Sequence, residues 1–412
     1  MSGPLVGVRI IDMTAVILGP YATQILGDLG ADVIKVEPLK GDVVRWNGPS
    51  RSPGMGPVFL HLNRSKRSVV LDLKQDAGRS ALLRLLGTAD VLMYNIRPKS
   101  MARLGLTYEH VAKVNPRIIY CGAYGYGENG PYADKPAYDD LIQGAAALPA
   151  LEAMLGGEPR YLPTAIADRT VGLTAAYAVL AALFHRERTG RGQSVEIPMF
   201  EVMAESTLST HMYGLTFEPP LGTAGYRRLL TPERRPYKTK DGYICAMPYT
   251  DRQWQRFFEL IDRTDLKADP RFTNMGMRTK HIQELYRIVV DAIARKTTAE
   301  WLDLLEQADV PVMPMHSLET LVQDPHLRQT GFFSVVDHPT EGKIRSMAVP
   351  TKWSESVPQV TRQAPRLGQH SMEVLEEIGY STGEIADLVS AGVTVDTRAD
   401  GGRGTGHSPG GT

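Results

Sequence analysis

Short apolar runs alternate, over the first 120 residues, with stretches whose apolar positions recur every three or four residues. Residues 8–12, 32–36, 68–73, 90–94 and 117–121 read as strands, being compact runs rich in Val and Ile and bounded by Gly, Pro or Asp. Between them, Gly19-Pro20 opens a helix with Ile25, Leu26 and Leu29 on one face, and residues 77–86 form another. Strands alternating with helices predict βαβ units in a doubly wound, parallel α/β sheet. Ligands in such sheets lie beyond the carboxyl ends of the strands, so loops 14–19, 37–42, 95–98 and 122–131 are the places to search. Further on, residues 171–188 are Ala- and Leu-rich and apolar on most sides, which predicts a buried helix. Thr189-Gly190-Arg191-Gly192-Gln193 ends it, and residues 194–197 return as a strand.

From residue 223 to 235 the chain is polar and basic with no apolar period, as a linker and loop leading to a smaller α+β domain would be. There a strand is expected at 243–247 and helices at 254–261, 282–294 and 298–307, the last opened by a Thr297-x-x-Glu300 capping box. Residues 401–412 hold no apolar side chain and read as a disordered tail.

At 412 residues the chain exceeds one ordinary domain. Forty-six basic residues balance 46 acidic ones, so nothing draws it generally to nucleic acid or an anionic membrane. Only two cysteines, Cys121 and Cys245, are present, too few for a disulfide framework or a thiolate metal site. The first residues lack a basic n-region, and the longest apolar run, 175–184, is about half of what spans a bilayer. A cytoplasmic protein is expected.

Asp168 stands where the long apolar helix begins. A carboxylate there caps free backbone N–H groups and is held anionic by the helix dipole, or it serves as a nucleophile toward an acyl carbon. Tyr138-Asp139-Asp140 opens another helix, and again capping and acid–base chemistry both remain open. The Gly125-Tyr126-Gly127-Glu128-Asn129-Gly130-Pro131 loop matches no phosphate-binding pattern and offers either close backbone approach to a ligand or a turn. Lys74, Arg97, Lys99 and Arg103 follow strands three and four, near one sheet edge in this topology, which would suit a ligand with several phosphates. Ten histidines show no metal-ligand spacing, so no metal is expected.

Together these stretches resemble the family III CoA-transferases, a group that includes formyl-CoA:oxalate and carnitine CoA-transferases and the related α-methylacyl-CoA racemases. The likeness runs through Gly7-Val8-Arg9-Ile10-Ile11-Asp12, the segment from Leu26 to Glu37, Asn63-Arg64-Ser65-Lys66-Arg67-Ser68, Leu71-Asp72-Leu73-Lys74 and Leu104-Gly105. It continues through Asn115-Pro116-Arg117-Ile118-Ile119-Tyr120, Tyr138-Asp139, Thr189-Gly190-Arg191-Gly192-Gln193, Asp324-Pro325-His326-Leu327 and Leu367-Gly368-Gln369-His370. The resemblance implies an interlocked, ring-like homodimer. Residues 1–200 would join with 316–396 in the large domain, 201–235 would link to a small domain at 236–315, and 397–412 would trail as the tail. It further implies that Asp168 is the nucleophile and that no cofactor is permanently bound. Coenzyme A, as substrate, would lie against Val16, Ile17, Leu18, Leu71, Asp72, Leu73, Lys74, Asn95, Ile96, Arg97, Arg103, Ala137, Tyr138 and Asp139, with Lys74 and Arg103 on its phosphates.

The implied reaction moves CoA from an acyl-CoA to a free acid through an aspartyl anhydride and an aspartyl–CoA thioester, with loop amides around Gly125 suited to the oxyanion. Ile17 replaces a glutamine that handles oxalate in formyl-CoA transferases, and Pro38 replaces an arginine at the nucleotide end of CoA. In place of a flexible glycine run stands Gly222-Thr223-Ala224-Gly225-Tyr226-Arg227-Arg228, followed by Arg234-Arg235. These arginines are either surface charge or a grip for the second carboxylate of an acid such as succinate. A racemase would need a histidine where Tyr138 stands, and a neutral phenol is a poor base near pH 7 because its reference pKa is about 10. A non-catalytic acyl-CoA-binding protein would leave no adduct on Asp168.

Overall fold

The computed structural model of the chain describes residues 2–397, so the expected disordered tail lies almost wholly outside the described residues. Two compact units form. One contains the chain up to Ala146, Leu162–Ala204 and the chain from His326 onward; the other contains Ala147–Tyr161 and Glu205–Pro325.

The first unit is built on six parallel strands: β1 (Arg9–Met13), β2 (Asp32–Glu37), β3 (Lys66–Val70), β4 (Val91–Tyr94), β5 (Ile119–Tyr124) and β6 (Gln193–Pro198). Their spatial order is β3-β2-β1-β4-β5-β6. Parallel strands covered on both faces read as nearly unbroken apolar runs, and Ile10, Ile11, Val33, Ile34, Val91 and Leu92 are all buried. On one face, helix Asp76–Leu86 packs with the C-terminal helices Ser371–Glu377 and Thr382–Ser390 around Ile11, Ile34, Val69 and Leu92. The C-terminal segment is stitched to β3 by bonds from the His370 N–H to the Ser68 carbonyl (2.9 Å) and from the Gly368 N–H to Ser68 Oγ (2.9 Å). A hairpin of β10 (Phe333–His338) and β11 (Gly342–Met347), absent from the sequence reading, belongs to this unit as well.

The third strand spans Lys66–Val70, earlier than the expected 68–73. Charged residues at 66 and 67 argue against a buried strand, yet Lys66 Nζ lies 3.0 Å from Asp12 Oδ2 and Arg67 Nη2 lies 2.7 Å from Asp32 Oδ2. With their charges paired, both enter the sheet. The long helix, Ile166–Thr189, is buried on one side only. Val171, Ala175, Val179 and Ala182 face the core, and Gly172 lets the helix approach the Leu18–Asp28 helix so closely that a Cβ there would sit 2.8 Å from the Leu18 carbonyl oxygen. Leu173, Tyr177 and Phe184, at 51%, 62% and 64% exposure, form a stripe on the other side. By length and composition alone this helix is apolar enough to cross a membrane; in this unit it covers the sheet.

The second unit has a three-stranded antiparallel sheet ordered β7-β8-β9, from β7 (Tyr237–Lys238), β8 (Tyr243–Ala246) and β9 (Val312–Pro314). Helices Asp251–Leu260, Ile282–Ile293 and Thr298–Gln307 enclose a core of Trp254, Phe257, Phe258, Tyr286 and Trp301. The Thr297/Glu300 capping box forms as expected, and Thr250 and Gln253 make a second.

Candidate active site

Strand order reverses between β1 and β4, where the chain's two halves diverge. Loops leaving neighbouring strands there separate and open a crevice. A cavity of about 340 Å³ occupies it, walled by Ala15, Val16 and Leu18 after β1, Asn95 and Arg97 after β4, Tyr124 and Gly125 at β5, and Ala137, Tyr138, Asp139 and Asp168. Gly125 is required where Ala137 crosses it, since a Cβ would fall 2.3 Å from that of Ala137.

The loop after β1 is strained and pinned. Val16 has φ 71°, a left-handed conformation that a β-branched residue resists at a cost of roughly 1–2 kcal/mol. Asn95 grips Ala15 in both directions, accepting from its N–H at 3.0 Å and donating to its carbonyl at 2.8 Å. The Val16 N–H donates to Asp42 Oδ1 (3.2 Å), and Lys35 Nζ donates to the Thr14 carbonyl (2.7 Å). Beneath the loop lies a fully buried ionic cluster: Asp12 with Lys66, Lys35 with Asp42 (3.0 Å), and Glu37 with Arg45 (2.6 Å). Burial opposes its ionisation, but Lys66 and Lys35, with the hydroxyls of Thr14 and Thr23, hold the Asp12 carboxyl down at about 2. Burial in turn pushes the Lys66 ammonium down to about 8.

Asp168 is the third residue of its helix and caps nothing; Ala165 is the N-cap and supplies no side-chain bond. The cap comes from elsewhere. Asp139 Oδ1 accepts from the Asp168 N–H at 2.9 Å, while its Oδ2 accepts from Gln143 Nε2 at 2.6 Å. Gln143, wholly buried, accepts from the Leu162 N–H through Oε1 (2.9 Å) and so ties down the approach to the helix. An acid of the Tyr138-Asp139-Asp140 run does cap a helix, then, though not its own. Nor is Asp168 a fully anionic carboxylate at neutral pH. Burial first, then the Asp139 charge, push its carboxyl up to about 7, against the opposing pull of Arg169. A helix dipole contributes about 0.3–1 kcal/mol, less than one pKa unit, and is outweighed.

That displacement gives a pH signature. A carboxyl attacks only when ionised, so single-turnover rates should rise with pH and level off above about 7. Asp139→Asn removes the like charge and should move the limb to lower pH by on the order of one unit, read from the rate profile. An unmoved limb would mean that another group governs it.

The cavity gathers Val16, Leu18, Asn95, Arg97, Ala137, Tyr138 and Asp139 around Asp168. It does not include Ile17, Ile96, Leu71, Asp72, Leu73, Lys74 or Arg103. Leu71 is in the core, the Asp72 carboxylate accepts from the Lys74 N–H, and Lys74 and Arg103 are exposed. The basic residues do not share one edge: Lys74 follows edge strand β3, whereas Arg97, Lys99 and Arg103 follow central β4. Arg97 donates to the Asp134 carbonyl (3.2 Å), and Lys99 pairs with the Asp134 carboxylate. Amides of the glycine loop are partly taken, since Gly127 N–H donates to Glu201 and Glu128 N–H to Glu196. In the second unit Arg228 packs over Tyr249 at 4.5 Å and against Tyr286, while Arg227, Arg234 and Arg235 are exposed.

Residues 5–371 match the model of CoA-transferase family III. A mouse (Mus musculus) succinyl-CoA:glutarate CoA-transferase is 32% identical over 395 residues, spanning 95% of this chain and 90% of that protein. A succinyl-CoA:mesaconate CoA-transferase of Haloarcula hispanica is 32% identical over 391 residues, spanning 92% and 98%. Among solved structures, a CaiB/BaiF family protein from Brucella suis superposes with a TM-score of 0.77 at 28% identity, covering 92% of this chain and all of that one.

Proposed function

The chain belongs to CoA-transferase family III and is an enzyme that transfers CoA to carboxylic acids, and we propose that it does so through covalent chemistry on Asp168 with short dicarboxylates as substrates. The observation that carries this reading is the Asp168 carboxyl on the wall of the switch-point cavity, where among the described residues no backbone N–H uses up its oxygens as a cap. The dicarboxylate class is supported by relatives named for succinyl-CoA with glutarate or mesaconate.

In the first step an Asp168 oxygen attacks the donor thioester carbon and the C–S bond breaks, giving a mixed anhydride and CoA thiolate. The thiolate then attacks the aspartyl carbon, releasing the donor acid and leaving an aspartyl–CoA thioester. The acceptor carboxylate attacks that carbon, expelling thiolate once more. Finally the thiolate attacks the acceptor acyl carbon, forming the new acyl-CoA and restoring Asp168. Each step exchanges one acyl–heteroatom bond for another, so a barrier too high for direct exchange is divided. Tyr138 and Arg97 line the same cavity as the reacting carboxyl, and exposed Lys74 and Arg103 are the cations assigned to CoA phosphates. The same reading pairs two chains as an interlocked homodimer in the cytoplasm; the uncovered Leu173, Tyr177 and Phe184 stripe supports a partner surface.

Incubation with succinyl-CoA followed by hydroxylamine should leave a hydroxamate on Asp168, located by peptide mass spectrometry. An unmodified Asp168 in protein that still exchanges CoA between acids would overturn the covalent route.

A further inference from the structure

The second unit carries a cavity of its own, about 340 Å³, on the outer face of the β7-β8-β9 sheet. Along β8, Ile244 and Ala246 turn into the core while Tyr243 and Cys245 turn out. Cys245 sits directly across from exposed Met313 of β9. With Met247 and Val312 these side chains make a mostly apolar floor, and Arg234 and Arg235 stand at its rim.

What distinguishes the two arginines is the lack of a counter-charge. Glu233, the adjacent acid, is turned to Thr231 Oγ1 (2.8 Å) and Arg287 Nε (2.9 Å). Among the described residues neither Arg234 nor Arg235 forms an ion pair. Their loop is stiff: Pro232 and Pro236 flank it, and the Arg234 N–H closes a turn onto the Thr231 carbonyl (3.0 Å). Two unpaired guanidiniums over an apolar floor of this size match a carboxylate on a short methylene stem, because the planar fork of Arg binds a carboxylate through two parallel bonds.

We propose that this small-unit cavity binds a short dicarboxylate, one carboxylate held by Arg234 and Arg235 and the stem lying over Met313 and Cys245. The choice of a dicarboxylate rests on the CoA-transferase reading above; the anion grip itself rests on the cavity.

Cys245 supplies a native reporter. It is exposed, whereas Cys121 is buried and its thiol is pushed up to about 12, so N-ethylmaleimide should label Cys245 first. Glutarate at about ten times its dissociation constant should slow that labelling roughly tenfold, as the free fraction falls. Butyramide, which has a short stem but no carboxylate for the two guanidiniums, should slow it far less. In Arg234→Gln/Arg235→Gln protein, whose melting temperature should stay as in the parent because both side chains are exposed, glutarate protection should disappear. Absence of protection, equal protection by butyramide, or protection by CoA but not by glutarate would each overturn the proposal. Hydroxylamine trapping at Asp168, run on the same samples, tells the two readings apart: an adduct without glutarate protection sinks only this site, and protection without an adduct sinks only the covalent route.

Discussion

Replacement of Asp168 by alanine should lower the transfer rate by at least about four orders of magnitude, since the neighbouring carboxylate, Asp139, has its oxygens engaged by a backbone N–H and by Gln143 and is no substitute nucleophile. The structure separates this from a folding defect. The Asp168 side chain caps no helix end, and its backbone N–H bond to Asp139 is one that alanine keeps. Asn at 168 gives a stricter comparison because it preserves shape. A carboxyl raised to about 7 in the fold, from an ordinary 3.8, binds its proton more tightly in the native than in the unfolded state. Stability of the parent should therefore fall as pH climbs from about 4 to about 7, and stay lowered above that window. Asp168→Asn lacks this term, so its melting temperature relative to the parent should rise across the same window while activity is lost. A variant that unfolds instead would restore the residue to a structural role.

The parallel sheet was readable because its strands are covered on both faces, which writes each one as an apolar run. Lys66 and Arg67 hid the true start of β3, as their partners Asp12 and Asp32 lie dozens of residues away and only the fold brings them together. The long helix was recognised, but a segment apolar all round does not reveal which side is covered; Leu173, Tyr177 and Phe184 prove to be the open one. At the site, Asp168 could be singled out through likeness to a family, whereas its protonation could not. That depends on burial and on Asp139, which are products of packing. Gln143 gives no signal in the sequence. A lone glutamine inside a short helix carries no pattern, and its importance comes from bonding both Asp139 and the Leu162 N–H. Glu196 and Glu201 are likewise silent in sequence, yet they occupy two amides of the glycine loop.

The largest effect on stability is expected at Asp12, far from any reacting atom by function but directly under the strained loop. Its carboxylate accepts from Lys66 Nζ (3.0 Å), Thr23 Oγ1 (2.7 Å) and the Thr14 N–H (2.9 Å), all in the interior. Asp12→Ala leaves Lys66 buried without its carboxylate, a loss of about 3–5 kcal/mol by denaturant unfolding. Thr14 also loses its anchor, which loosens the turn that holds Val16 at φ 71°. The acid sensitivity should change with it. A carboxyl held at about 2 in the fold stabilises the native state fully above its unfolded value near 3.9, and that contribution drains away as pH drops toward 2; the alanine variant has none to lose. Removing both charges is the decisive comparison. Asp12→Leu with Lys66→Met fills the space with apolar atoms and should recover most of the lost stability, because the penalty in the single variant is chiefly an unpaired buried charge and not the missing attraction. If the double variant is as unstable as Asp12→Ala, the hydroxyl and amide bonds of Asp12 hold the loop, and the Lys66 pair is incidental.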